Sequence, residues 1–190
     1  MTHPLVVALT GATGMIYGVE MLKVLKQLGI PTHLIVSESA GISIGIETDM
    51  TVQDVKALAD VVYSNKDLAA AVSSGSFKTQ GMIVAPCTIK SLSGIANSYN
   101  DNLVTRAADV TLKERRKLVL MVREAPLHKG HLELMTRAVD LGAVILPPMP
   151  AFYHGPKTIL DVVHQSVGKV LDQFDIEHNL FERWKGGGSA

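Results

Sequence analysis

The chain has 190 residues, 47% of them hydrophobic and 19% charged, enough for one domain whose continuous core needs neither disulfides nor a structural metal. Eighteen basic and eighteen acidic side chains cancel, so no long-range field draws it to nucleic acid or an anionic membrane; any anion must be held by a local cluster. Cys87 is alone and cannot form an internal disulfide, and with neither a signal peptide nor a long apolar span the chain reads as cytoplasmic.

The first apolar run, "PLVVALT", leads into the glycine turn "GATG" and then into helical spacing over residues 17–28. Strand, turn and helix in this order present backbone amides to a phosphate at the helix N-terminus. Continuous β-branched runs return at "THLIVS", "GMIVAP", "KLVLMV" and "AVILPP". Continuity rather than alternation predicts strands buried on both faces, and so a parallel sheet. Helical spacing recurs over residues 52–59, 91–96, 103–115 and 132–141. A last helix, about 157–174, carries Ile159, Val162, Val163, Val167, Val170 and Leu171 on one side. The alternation predicts an α/β fold, a doubly wound, Rossmann-like or flavodoxin-like three-layer sandwich with a parallel sheet. One domain is expected over residues 1–185, with "GGGSA" at 186–190 a flexible tail outside it.

In such folds ligands gather beyond the carboxyl ends of the strands, where strand order reverses. The first glycine turn lacks the lysine of a triphosphate loop. Gly11, Gly14 and Gly18 miss GxGxxG spacing but approach dinucleotide turns that begin TGATG. Glu38, after the second strand, stands where ribose hydroxyls would be bound, so an NAD(P)-binding oxidoreductase stays open, as does a plain strand-to-helix turn. Thr88, Lys90, Ser91 and Ser93 open a helix and could hold a phosphate or a ring edge. Cys87 has no base nearby in sequence and reads as packing.

Arg106 follows an asparagine-rich turn and precedes Ala107 and Ala108, which suits a pocket as well as solvent; Lys113 is balanced in the same way. Arg115, Arg116 and Lys117 read as cations favoured near a helix C-terminus. Arg123 and Glu124 directly follow a strand and are stopped by Pro126. Neighbours on an extended segment point to opposite sides, so the arginine could serve an anion and the glutamate a proton, unless the two form a surface ion pair. Glu47 is a second candidate carboxylate for proton transfer. His128 and His131 have no cysteine or carboxylate partners in sequence and read as polar helix-start residues, not a zinc site.

Taken together, "TGATGMIYG", "ETD", "SSGSF", "PCTIKSLSGI", "NLVTRAADVTLKERRKLVLMVREAPL" and "PPMPAFYHGP" resemble the flavin prenyltransferases of the UbiX/Pad type over nearly the whole chain. The resemblance implies transfer of a dimethylallyl group from dimethylallyl phosphate to reduced FMN, yielding the prenylated FMN that UbiD-type decarboxylases use. It places FMN on Gly11, Ala12, Thr13, Ser37, Thr88, Ile89, Lys90, Ser91 and Arg123. It places the allylic phosphate on Tyr153 and Lys169, with Arg106, Lys113 and Glu124 around it, and makes Glu47 and Glu124 the proton-handling carboxylates. It also implies a homo-oligomer, a dodecamer, whose neighbouring subunits complete the sites. A non-catalytic FMN carrier is the alternative within the same likeness.

The residues suit that chemistry. A departing phosphate needs its developing charge neutralised, and Arg106, Lys113, Lys169 and the Tyr153 hydroxyl can donate to it. The DDxxD motif through which magnesium-dependent prenyl transferases bind pyrophosphate does not occur, so a monophosphate held by side chains without metal is the economical reading. Three positions depart from the common pattern: Thr13 replaces a frequent serine, Glu38 a frequent lysine, and Lys169 an arginine, keeping the charge but losing the bidentate fork.

Overall fold

The computed structural model describes residues 3–184 and 186; beyond Gly186 the tail expected at 186–190 lies outside them. Six strands, β1 (Leu5–Leu9), β2 (Thr32–Val36), β3 (Val61–Ser64), β4 (Gly81–Cys87), β5 (Lys117–Val122) and β6 (Val144–Ile145), form one sheet in the order β3-β2-β1-β4-β5-β6. Every pairing is parallel, with Leu5 opposite Thr32 on one side and Gly81 on the other. The chain winds outward from β1 to β3, then crosses back to lay β4 on the free side of β1. Strand order therefore reverses between β1 and β4, the place where doubly wound sheets bind ligands.

Alternate residues of β1 serve two cores. Leu5, Val7 and Leu9 face the layer of α1 (Met15–Gln27), α2 (Glu38–Glu47), α3 (Val52–Lys56) and α7 (Ile159–Asp172). Val6 and Ala8 face the layer of α4 (Ile89–Ala96), α5 (Leu103–Lys113) and α6 (Lys129–Asp140). All five are buried, and at about 1.5–3 kcal/mol for each large apolar side chain their burial drives the three-layer arrangement. Cys87 belongs to the second core, and burial pushes its thiol up to about 12, as expected of an inert packing residue.

The sheet and most helices stand where the sequence places them, with three differences. β3 was not anticipated: it is a four-residue edge strand with Val61 and Val62 largely exposed. Nor was α2, because its apolar residues Ala40, Ile42, Ile44 and Ile46 recur at every second position, a strand-like period, and only Ala40 and Ile44 are buried. The run "AVILPP" yields just two strand residues, since Pro147 and Pro148 offer no N–H to a ladder. His128 is the N-cap of α6, its Nδ1 accepting from the Gly130 N–H at 3.1 Å, in keeping with its reading as a helix-start residue. Among the described residues no helix is long and apolar enough to cross a membrane.

Candidate active site

The turn after β1 ends at Gly14, whose φ of 95° is left-handed and favours glycine, and which caps α1 without any side chain of its own. The cap comes from elsewhere: the Glu47 carboxylate, at the end of α2, accepts the Gly14 N–H at 2.7 Å and the Met15 N–H at 2.9 Å. Partial burial pushes the Glu47 pKa up. The Thr13 hydroxyl, the Met15 and Gly14 amides and the Arg123 guanidinium outweigh that and hold it below the usual carboxylate range. An ionised carboxylate thus engages the amides that the sequence offers to a phosphate, and near neutral pH it can accept a proton but not donate one.

A cavity of about 600 Å³ opens beside this turn, at the carboxyl ends of β1, β2 and β4. Three helices begin on it. Ser37 caps α2 by accepting from the Ala40 N–H at 3.1 Å, Thr88 caps α4 by accepting from the Ser91 N–H at 3.0 Å, and Asn102 caps α5 by accepting from the Thr105 N–H at 3.1 Å. Each N-terminus carries roughly half a positive charge, so the three together favour an anion. Thr10 ties the switch point: its hydroxyl donates to the Pro86 carbonyl at 2.8 Å and accepts the Thr88 N–H at 2.9 Å. Lys90, exposed, and the hydroxyls of Ser37, Ser39, Thr88, Ser91 and Ser93 complete a lining suited to a phosphate ester and a chain of alcohols.

Ser37, Thr88, Lys90 and Ser91 were expected at this site and line the cavity; Ile89 follows as the first residue of α4, and Gly11 abuts Ser39. Other lining residues escaped the sequence reading. Asn65 accepts the Leu103 N–H at 2.8 Å on its carbonyl and the Val104 N–H at 3.0 Å on Oδ1, fixing the start of α5. It follows the unanticipated β3, so nothing marked it in advance. Asn97 and Asn102 lie in the asparagine-rich turn ahead of Arg106. Glu38, the candidate for ribose hydroxyls, opens instead onto a separate cavity, paired at 2.5 Å with Lys66, both side chains 80% exposed.

Arg123 and Glu124 go separate ways. The Arg123 N–H is fixed to the Cys87 carbonyl at 3.1 Å at the end of the sheet, and its guanidinium lies close enough to Glu47 to depress that carboxyl. Glu124 is exposed and accepts the Ala125 N–H at 3.0 Å. Among the described residues they form no ion pair with one another.

The remaining candidates lie away from the cavity. Arg106 donates through Nε to the Ser73 carbonyl at 3.2 Å and pairs with Asp109. Lys113 ends α5, paired with Glu114 and next to Gly75, ahead of β4, which puts it at the opposite rim of the sheet. Lys169 sits near the end of α7, just before Phe174, which packs against Gly81 where β4 begins. Tyr153 stands edge-on to Trp184, ring centroids 6.1 Å apart. One chain therefore gathers several of the expected flavin residues at one rim and leaves Arg106, Lys113, Tyr153 and Lys169 off the cavity.

A family model described as Flavoprotein matches residues 1–171. The flavin prenyltransferase UbiX of Thauera aromatica is 57% identical over 182 residues, 96% of this chain and 94% of that protein. The crystal structure of AnUbiX (PadA1) in complex with FMN and dimethylallyl pyrophosphate matches with a TM-score of 0.97 at 48% identity, covering 99% of this chain and all of that one (100%). A dodecameric FMN-dependent UbiX-like decarboxylase from Escherichia coli O157:H7 matches with a TM-score of 0.94 at 50% identity, covering 96% of this chain and 100% of that one. Identity at this level over nearly the full length, on a parallel sheet with an anion-favouring cavity at its switch point, makes the chain a member of the UbiX family of flavin prenyltransferases.

Proposed function

We propose that the protein transfers a dimethylallyl group from dimethylallyl monophosphate to reduced FMN, and that the prenylated flavin serves a UbiD-type decarboxylase. The observation that carries this reading is the cavity at the switch point, hydroxyl-rich and met by three helix N-termini. That donor set fits FMN: Thr88, Lys90 and Ser91, with Ser37, would hold its phosphate and ribityl hydroxyls, while Gly11, Ala12, Thr13 and Arg123 would flank the ring. Reduced FMN supplies the nucleophilic ring positions. Glu47, held ionised by its amides, takes up a proton; Glu124, free of any cation in its own chain among the described residues, handles the second transfer.

The donor phosphate falls to Tyr153 and Lys169, with Arg106 and Lys113. All four stand away from the cavity in their own chain, which supports sites completed by neighbouring copies, as in an assembly like the dodecameric relative. Cations and a phenol can neutralise a departing monophosphate without a metal. A lone buried thiol fits a cytoplasmic location.

Anaerobic incubation with reduced FMN and dimethylallyl monophosphate gives a flavin heavier by one prenyl unit; an unchanged flavin mass overturns the reading. Dimethylallyl pyrophosphate in a parallel arm reports donor preference. Adding the product to a cofactor-free UbiD-type decarboxylase and measuring its activation checks the delivery step.

A further inference from the structure

Near the end of α7, three basic side chains converge on one carboxylate. Arg183 grips Asp172 with both arms, NH1 to Oδ2 at 3.2 Å and NH2 to Oδ1 at 2.6 Å. Lys169 reaches Oδ2 at 3.5 Å, and His178 Nε2 reaches Oδ1 at 3.2 Å. The Asp172 side chain is 17% exposed, whereas those of Lys169 and Arg183 are 48% and 54% exposed. The carboxylate is thus the inner, fixed member and the cations face outward.

His178 shows what anchors the arrangement. Its Nδ1 accepts the Leu180 N–H at 3.3 Å, so Nε2 carries the hydrogen and donates to the Gly168 carbonyl at 3.0 Å and to Asp172. With its side chain 1% exposed and both ring nitrogens engaged, it locks the segment after α7 against the helix. Arg183 uses two of its five donor hydrogens and Lys169 one of its three, so both keep donors for a further anion.

An anion has room beside Arg183. Tyr153, His154, Arg183 and Trp184, with the acidic Glu182, border a cavity of about 240 Å³. Neither ring nitrogen of His154 has a hydrogen-bond partner among the described residues, although both are buried. The Arg183 guanidinium stands with the Tyr153 phenol on the wall of this cavity, and leaving the His154 nitrogens unpaired costs free energy that a bound oxyanion would recover.

We propose that Asp172 is a positioning residue for the allylic donor: it holds Lys169 and Arg183 side by side next to Tyr153, so that together they grip the donor's phosphate. The inference rests on the reading that Lys169 and Tyr153 bind that phosphate. Arg183 then supplies the bidentate fork that Lys169 lacks.

The test uses the intact oligomer, anaerobically, with saturating reduced FMN and varied dimethylallyl monophosphate. Asp172→Asn raises the donor KM about tenfold, with kcat changed less than about twofold and FMN affinity unchanged. In a Lys169→Met background the same substitution adds only the part exerted through Arg183, about threefold or less. An unchanged or lower donor KM in Asp172→Asn overturns the proposal, as does full additivity in the double variant. Arg183→Gln alters an exposed residue and keeps the question answerable should Asp172→Asn fail to fold: it raises donor KM about threefold, and no change there also overturns the proposal. If Lys169→Met by itself leaves donor KM unaltered, the underlying assignment of Lys169 fails instead, and the proposal falls with it.

Discussion

The two ends of the proposed reaction are built differently. At the carboxyl rim of the sheet, backbone does most of the work: three helix N-termini and the turn after β1 surround one cavity, held by caps at Ser37, Thr88 and Asn102 and by the Thr10 hydroxyl. The Tyr153–Lys169–Arg183 region depends on long side chains steered by a single aspartate, and it sits apart from that cavity. Amides fixed by secondary structure need no further ordering to meet a ligand, whereas flexible cations must be pinned by a carboxylate or by a second subunit. The switch-point cavity is thus lined by backbone-fixed groups of one chain, whereas the Tyr153–Lys169–Arg183 region stands apart from it.

The largest effect expected is at the rim. Glu124→Gln lowers kcat at least about 100-fold while FMN affinity, measured by fluorescence titration, stays within twofold, because a proton-transfer group is lost and no flavin contact is. A variant that kept full prenylation would remove Glu124 from the proton transfers. Next comes Gly18→Ala. A β-carbon there would run into the Ala85 carbonyl and Leu9, pushing α1 off the end of β4. We expect a loss of about 2 kcal/mol, read as a fall in Tm of roughly 5 °C, with weakened FMN binding and an unaltered donor KM in the folded fraction.

Mixing subunits sharpens the contrast directly. Lys169→Met raises donor KM about tenfold. Co-assembled one to one with Glu124→Gln chains, it should recover roughly a quarter of wild-type sites, the random-mixing fraction with both contributors intact, if the two ends come from different chains. No recovery in assemblies shown to be mixed means that each chain serves its own donor.

The smallest effect concerns acid stability. The folded Glu47 pKa is depressed, so its contribution is present above the unfolded value of about 4.3 and is lost as pH falls through the folded value. Glu47→Gln should be less stable than the parent at pH 7 by about 0.5 kcal/mol at most, given the solvent exposure of the side chain. The gap should close in acid, as followed by denaturant titration at several pH values.

Much of this was legible from residues alone. Continuous β-branched runs identified β1, β2, β4 and β5 because strands covered on both faces leave no polar alternation, and "PCTIKS" marked a helix start that the Thr88 cap makes real. Ser37 and the Thr88–Ser91 group were found for the same reason: N-cap residues and anion-binding residues are the same small hydroxyl types. Asn65 was missed because its strand is short, exposed and at the edge, and α2 because its apolar period is that of a strand. The role of Asp172 was invisible, since an aspartate near a helix C-terminus carries no signal until the chain folds back to bring Arg183 and His178 onto it.

By itself the sequence determined the layered architecture, the switch-point location and the hydroxyl and carboxylate inventory, all consequences of periodicity and local capping within a few residues. Only the tertiary structure decided that Glu47 caps α1 from 33 residues away, that Glu38 turns to Lys66, and that Lys113 and Lys169 stand apart from the switch-point cavity. Those outcomes depend on which surfaces the packed helices bring together, and no local pattern encodes a contact between distant segments.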